Sequence, residues 1–380
     1  MTVIELPRLC LVVLVGVSGA GKSTFAHKHF APTEVLSSDV FRGLVADDPR
    51  DQSATGDAFG ALLDIADRRL RRGLLTVVDA TSVRPEDRKV LLDLAKERDV
   101  FAVAIVLDVG LPDLERRAEN RPDIDPGVIG RQHRLLHRHG KSLRKEGFRF
   151  VHTLDGVDAI DEARVVRTRL FNDRTDEHGP FDIIGDVHGC ARELCALLTA
   201  LGWTVRRSQA GDFLGVDAHP DGRRVIFVGD LVDRGPDTPE VLRIAMSMTA
   251  DGQAFCVRGN HEEKLLRALR QRRSRSATTE QAARHGLAES LEQLDAEPPE
   301  FVAEVLDFID GLVSHYVFDD GRLVISHAGL PQRYHGRTSG RVRSLAMYGE
   351  TTGETDRWGY PVRLDWARDY RGDARVVYGH

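Results

Sequence analysis

Cysteine is scarce in this chain: Cys10, Cys190, Cys195 and Cys256 are the whole complement. They form no C-x-x-C pair and no dense, even framework, which excludes a disulfide-stapled scaffold and predicts a reduced, cytoplasmic setting. Long apolar runs are also missing. Leu9–Val15 follows a lone Arg8 and runs straight into a glycine loop rather than a cleavage site, so it is not a signal-peptide core. Nothing approaches the roughly 20 apolar residues of a membrane span, so no membrane partner is expected. Net positive charge is absent too. At −6 the formal balance gives no support to a general nucleic-acid coat, although a local basic groove stays open. Lysine is the rare cation, with seven residues in 380, so Lys22 stands out.

With 41% hydrophobic and 29% charged residues, the chain can bury ordinary cores. Its length suits two or three domains of roughly 100–200 residues each. Residues 1–172 alternate strand-like runs (Leu9–Val15, Glu34–Leu36, Leu74–Val78, Val100–Leu107, Phe150–Leu154) with helical patterns such as Ala58–Arg72 and Pro85–Arg98. That rhythm predicts an α/β domain built on a parallel sheet covered on both faces. The polar stretch 173–180 reads as a linker. From 181 to 380 a second set of strands begins: Phe181–Gly185, Val225–Gly229, Ala254–Val257 and Leu323–Ser326. Each ends in a polar cluster, which puts functional groups on loops at strand carboxyl ends. Glu262–Ser314 has a largely helical pattern broken near Pro298–Pro299, and Arg267–Ser276 reads as a solvated helix face and loop.

The front domain carries Gly16-Val17-Ser18-Gly19-Ala20-Gly21-Lys22-Ser23, followed by Thr24, between a strand and a helix. This fits G-x-x-x-x-G-K-S in the context the motif requires. Glycines let backbone N–H groups curl around phosphate oxygens, and the helix N-terminus adds partial positive charge. Lys22 is expected to bridge the terminal phosphates of ATP or another NTP, with the Ser23 hydroxyl on Mg²⁺. Asp39 falls just after the second strand, where a carboxylate can accept the proton of an attacking hydroxyl; a plain helix N-cap is the alternative. Arg42, one short step on, suits an acceptor phosphate. Arg117 and Arg121 share a helix face at i,i+4 before Pro122 and can close over the transferring group, or simply pair with Glu115 and Glu119. An N-K-x-D base-reading motif is absent, so a kinase is favoured over a GTPase.

Five short motifs follow in the rear domain: Gly185-Asp186-Val187-His188-Gly189, Gly229-Asp230-Leu231-Val232-Asp233-Arg234-Gly235, Gly259-Asn260-His261-Glu262, Ser326-His327-Ala328-Gly329 and Tyr378-Gly379-His380. Carboxylates, imidazoles and an amide oxygen suit a pair of hard-to-borderline divalent cations. A carboxylate shared by both, with Asp230 the best candidate, would hold them roughly 3.5–4 Å apart.

The five motifs resemble the calcineurin-like metallophosphoesterases, which implies an α/β domain of β-sandwich type. By that resemblance Asp186 and His188 bind one metal, Asp230 bridges, and Asn260, His327 and His380 complete the second site. His261 would donate a proton to the leaving oxygen, and Arg234 and Arg258 would hold the substrate phosphate. The whole chain is similar to the bacterial polynucleotide kinase-phosphatases. The shared segments are GVSGAGKST (Gly16–Thr24), SSDVFR (Ser37–Arg42), VVDATSVRPEDR (Val77–Arg88), RRAENR (Arg116–Arg121) and the long Tyr348–Gly372 run. This resemblance implies RNA end healing. An NTP·Mg²⁺ kinase would act on 5′-OH ends of RNA or DNA, and a Mn²⁺- or Ni²⁺-type phosphoesterase on 2′,3′-cyclic and monoester ends. It also implies a ligase or RNA-repair methyltransferase partner.

Two departures are evident. No lysine-centred nucleotidyl motif of a ligase domain is present, and the last expected metal ligand, His380, is the final residue, which suggests a truncated chain. A ligand there would lack flanking backbone to orient it. Two competing functions remain: a small-molecule kinase fused to a Ser/Thr-type protein phosphatase in signalling, and a non-catalytic nucleotide-sensing scaffold. The presence of Asp39, His261 and the ligand set weighs against the second.

Overall fold

The computed structural model describes residues 2–119, 126–273, 286–357, 359 and 361–380. They form two compact units, Met1–Leu170 with Arg337–Ser339, and Phe171–Gly336 with Gly340–His380.

In chain order the first unit contains β1 (Val3–Pro7), β2 (Cys10–Val15), α1 (Lys22–His29), β3 (Val35–Ser37), α2 (Ser38–Ala46), α3 (Thr55–Arg71), β4 (Thr76–Asp79) and α4 (Pro85–Glu97). Then come β5 (Phe101–Asp108), α5 (Leu111–Glu119), α6 (Pro126–His139), α7 (Leu143–Glu146), β6 (Phe150–Asp155), α8 (Val157–Asp161) and β7 (Arg164–Thr168). Five strands make one sheet in the order β3-β4-β2-β5-β6, and every pairing is parallel. β2 sits in the middle and is buried along its whole length, which is why its sequence is unbroken CLVVLV rather than alternating. α3 presents Ala58, Leu62, Ala66 and Leu70 to the core at i,i+4 spacing. Arg88, a fully buried cation on α4, is held bidentately by Glu146 at 2.7 Å through both nitrogens and donates to the Ser82 carbonyl. The expected strands are found within two residues of their expected bounds. The separate parallel pair β1–β7 has no strong sequence signal, being short and partly exposed.

The second unit begins with β8 (Asp173–Arg174), inside the stretch read as a linker. That expectation is corrected: β8 pairs in parallel with the strand at Val317 and Phe318, and Asn172 is buried against His315 at 2.9 Å. Its polar composition belongs to a short sheet edge, where charged residues are common. There follow β9 (Phe181–Ile184), α9 (Ala191–Ala200), β10 (Thr204–Arg207), β11 (Phe213–Asp217), β12 (Arg224–Phe227), α10 (Thr238–Ala250), β13 (Ala254–Cys256), α11 (Asn260–Arg273) and α12 (Leu287–Asp295). The unit closes with α13 (Pro299–Gly311), β14 (His315–Phe318), β15 (Leu323–Ser326), α14 (Gly340–Tyr348), β16 (Thr351–Thr355), β17 (Pro361–Arg363) and β18 (Arg375–Val377).

Sheets β13-β12-β9 and β18-β15-β14-β8 pack face to face. Alternation along β12 shows how one strand serves two cores. Val225 and Phe227 join the cluster that includes helical Leu194, Leu242 and Leu265, whereas Ile226 packs with Phe318 and Ile325 between the sheets. The expected helical region resolves into α11, α12 and α13, with the break at Pro298. Three of the four arginines of the basic stretch on α11 are paired: Arg267 with Glu263, Arg270 with Asp310 and Arg272 with Asp295. Residues 274–276 of that stretch lie outside the described residues.

Candidate functional site

In the first unit the phosphate loop joins β2 to α1. Gly19 and Gly21 take φ of 85° and 94°, a region that glycine enters at little cost. A Cβ at Gly16 would lie 2.9 Å from the Leu107 carbonyl, so only glycine lets the loop leave the sheet there. Lys22 folds back over the loop and donates to the Gly16 and Val17 carbonyls at 2.9 and 3.0 Å. Burial pulls its pKa down to about 8, against the opposing charges of Asp79 and Asp39. α1 has no acid in its first turn, so its N-terminal N–H groups are unopposed.

A cavity of about 1070 Å³ opens over this loop. Its walls include Ser18, Gly19, Ala20, Gly21, Lys22, Ser23 and Thr24 together with Asp39, Arg42, Asp79 and Arg117. Asp39 lies in the first turn of α2, whose N-cap is Ser37. It forms an ion pair with Arg42, which also donates to the Pro49 carbonyl at 2.9 Å. Arg117 reaches the loop and donates to the Gly19 carbonyl at 3.0 Å. Arg121 and the Pro122 helix end lie outside the described residues.

Two cavity residues were missed by sequence reasoning. Gln132 on α6 accepts the Ser18 N–H at 2.9 Å, and nothing in its local pattern marks it. Asp79 ends the apolar run of β4, a position that could have been flagged. It is buried, its Oδ2 has no partner, and the Ser23 hydroxyl bonds it. Burial raises its pKa, with the Ser23 hydrogen bond and the Lys22 charge pulling the other way. A buried, half-satisfied carboxylate beside Ser23 fits a hard cation, so Ser23 and Asp79 would hold Mg²⁺.

In the second unit all five motif loops leave strand carboxyl ends and converge. Asp230 is common to two clusters of potential ligand atoms, one with His188 and His261 and one with His327 and His380. Its Oδ2 lies 3.2 Å from His327 Nε2 and 3.8 Å from His188 Nε2. His327 Nε2 is also 3.0 Å from Asn260 Oδ1 and 2.9 Å from His380 Nδ1. The Nδ1 atoms of His188 and His327 face the Val232 and Val228 carbonyls at 2.8 and 2.9 Å. Donation there fixes the tautomer and leaves each Nε2 lone pair aimed inward. This donor set fits two divalent cations sharing Asp230.

Burial pushes the Asp230 carboxyl up, but the His327 hydrogen bond and charge outweigh it and bring it to about 2. For His327 the balance runs the other way: burial lowers it, and Asp230 raises it more. His380 is oriented by backbone, since its N–H donates to both Asp186 oxygens at 3.1 Å and the Gly379 N–H to the His327 carbonyl at 3.0 Å. The expectation that it lacks such support is therefore corrected: β18, paired with β15, provides it.

Glu262, quoted in the sequence without a role, braces this centre. Its carboxylate accepts the N–H groups of Asp230, Leu231 and Gly259 at 2.7–2.8 Å, holding Asp230 at φ 50°. Asp233 is the other residue missed. It is fully buried and bonds His261 Nδ1 at 2.6 Å, which orients the imidazole as a carboxylate–histidine pair does. Arg234 is exposed at the same turn.

Arg258, expected at the substrate phosphate, is engaged by protein groups. Its guanidinium is buried, bonded to Glu263 at 3.0 Å and to the Ile309 and Asp310 carbonyls at 2.6 and 2.7 Å. Those bonds engage Nη1 and Nη2 and tie the residue to Glu263 and the end of α13, while Nε is buried without a partner. Arg363 on β17 is a further cation near this centre. It is exposed, and its charge is among the influences, after burial and His327, that bring His380 down to about 4. Nearby, the Trp366 ring covers Gly329, where a Cβ would come within 2.2 Å of it. Trp366 packs on Tyr378 at 5.4 Å, and Tyr378 is 45% exposed.

Residues 179–380 match the calcineurin-like phosphoesterase family, and residues 11–138 match an AAA domain. The chain belongs to the calcineurin-like phosphoesterase family, with a P-loop domain in front. Its relatives include the asymmetrical bis(5′-nucleosyl)-tetraphosphatase PrpE of Geobacillus thermodenitrificans (strain NG80-2), 41% identical over 52% of this chain and 77% of that protein. The protein of the same name from Bacillus subtilis (strain 168) is 37% identical over 53% of this chain and 78% of its own length. Fold and site together define an enzyme with a P-loop kinase-like unit and a metal-dependent phosphoesterase unit. No helix among the described residues is long and apolar enough to cross a membrane.

Proposed function

We propose that this chain is a polynucleotide end-healing enzyme, adding phosphate to 5′-OH ends and removing it from 2′,3′-cyclic or 2′/3′-monoester ends. The observation that carries the kinase half is one cavity containing the phosphate loop, Lys22, the Asp39 carboxylate paired with Arg42, and Arg117. Asp39 takes the proton of the attacking hydroxyl; Arg42 releases it to hold the acceptor phosphate. Lys22 swings from the Gly16 and Val17 carbonyls to the nucleotide phosphates, and Arg117 neutralises charge on the transferring group.

In the phosphoesterase half the cations, when bound by Asp186, His188, Asp230, Asn260, His327 and His380, polarise the phosphate ester and acidify a water. His261, held by Asp233, protonates the leaving oxygen. Arg234 and Arg363 hold the phosphate. In this reading the cell supplies a ligase or an RNA-modifying methyltransferase to finish the repair, and Mn²⁺ or Ni²⁺ serves the second site.

A second reading is favoured by the relatives and by the exposed Tyr378 beside Trp366: the phosphoesterase unit cleaves dinucleoside polyphosphates, with a base stacked on the aromatic wall. One experiment separates the two. The full chain receives γ-labelled ATP, Mg²⁺ and a short 5′-OH RNA, with Asp39→Ala as control. In parallel, Mn²⁺-dependent phosphate release is measured from a 2′,3′-cyclic-ended RNA and from diadenosine tetraphosphate. End healing predicts transfer that the control loses, together with release from the RNA. Absence of transfer, with diadenosine tetraphosphate as the better substrate, refutes it.

A further inference from the structure

A third group of ligand atoms lies in the first unit, apart from both sites above. Asp108 ends β5, and His133 and His137 stand one turn apart on α6. One oxygen and two ring nitrogens from these side chains all lie within 4.8 Å of one another. His137 Nε2 is 3.1 Å from His133 Nε2 and 3.5 Å from Asp108 Oδ1.

Those separations have a chemical meaning. A four-coordinate ion with ligands at about 2.0–2.1 Å spaces them about 3.3–3.4 Å apart along each tetrahedral edge. Histidines at i,i+4 present both imidazoles to one point on a helix face. Asp108 is anchored independently, since its carbonyl accepts the Gly156 N–H at 2.8 Å.

We propose that Asp108, His133 and His137 form a mononuclear site for a borderline divalent cation such as Zn²⁺ or Co²⁺, with a water at the open fourth position. Two imidazoles and one carboxylate suit such ions better than Mg²⁺ or Ca²⁺. The bound ion ties α6 to the carboxyl end of β5. Gln132, the residue before His133, bonds the phosphate loop through Ser18, so the ion also steadies that support.

The test uses the full chain, stripped of metal and loaded with Co²⁺, beside His137→Gln and Asp108→Asn variants. His137 is 53% exposed in its side chain, so its replacement leaves the core intact, and circular dichroism checks this. After desalting, the wild type should retain one more equivalent of Co²⁺ per chain than either variant. It should also show the intense visible bands of four-coordinate Co²⁺, lost in both variants. Equal retention and identical spectra in all three proteins would overturn the proposal, leaving the cluster a hydrogen-bonded His–His–Asp network.

Discussion

Arg258→Met separates a structural arginine from a substrate-binding one. In the folded chain this guanidinium bonds Glu263 and two carbonyls at the end of α13, and the residue is 4% exposed. Removing one partner of a buried pair costs roughly 3–5 kcal/mol, because the other charge is stranded. Glu263 keeps Arg267, bonded at 3.1 Å, so the lower figure of about 3 kcal/mol applies. For a unit of this size each kcal/mol lowers Tm by roughly 2–4 °C, giving a drop of about 6–12 °C. Calorimetry of the full chain would measure it, with the transition of the second unit identified by its Mn²⁺ dependence. Arg363→Ala is the companion: exposed, it should leave Tm within about 1 °C. It should raise KM for phosphoester substrates by roughly ten- to a hundredfold, the worth of charge-assisted hydrogen bonds. An Arg258 variant that melts like the wild type yet loses substrate affinity would refute the reasoning.

Other outcomes can be stated for each unit. Lys22→Ala and Asp39→Ala should each reduce phosphate transfer at least about a hundredfold while phosphate release is unchanged; full transfer by either, in the labelled-ATP assay, sinks the assignment. Lys22 is cationic below its pKa of about 8 and neutral above it. Nucleotide affinity should therefore weaken by about tenfold between pH 7 and pH 9, measured calorimetrically, and a flat profile contradicts a phosphate-facing lysine. His261→Ala should slow esters with poor leaving groups more than activated aryl esters, and Asp233→Asn should do the same more mildly. Equal losses on both substrates would argue against proton donation.

Much of this protein was legible in its sequence, for reasons that differ by element. β2 announced itself because a strand covered on both faces must be continuously apolar, and the phosphate loop because its glycines and Lys22 are contiguous. Contiguity also made the five metal motifs readable: each is a strand end followed by a turn, so its chemistry sits in three to seven neighbouring letters. β8 was misread because two polar residues at a sheet edge look like any polar connection.

Long-range pairing is what local letters do not encode. Arg258 and Arg363 carry the same charge, and spacing cannot say which is buried. Packing decides it, because α13 brings the Ile309 and Asp310 carbonyls onto Arg258, while β17 leaves Arg363 open. Asp233 becomes the partner of His261, and Asp108 the neighbour of His133 and His137, by the same cause. The sequence alone determined which chemical groups are available and which strand ends carry them; the tertiary structure alone decided which of them meet, because burial and hydrogen-bond satisfaction act between residues far apart in the chain.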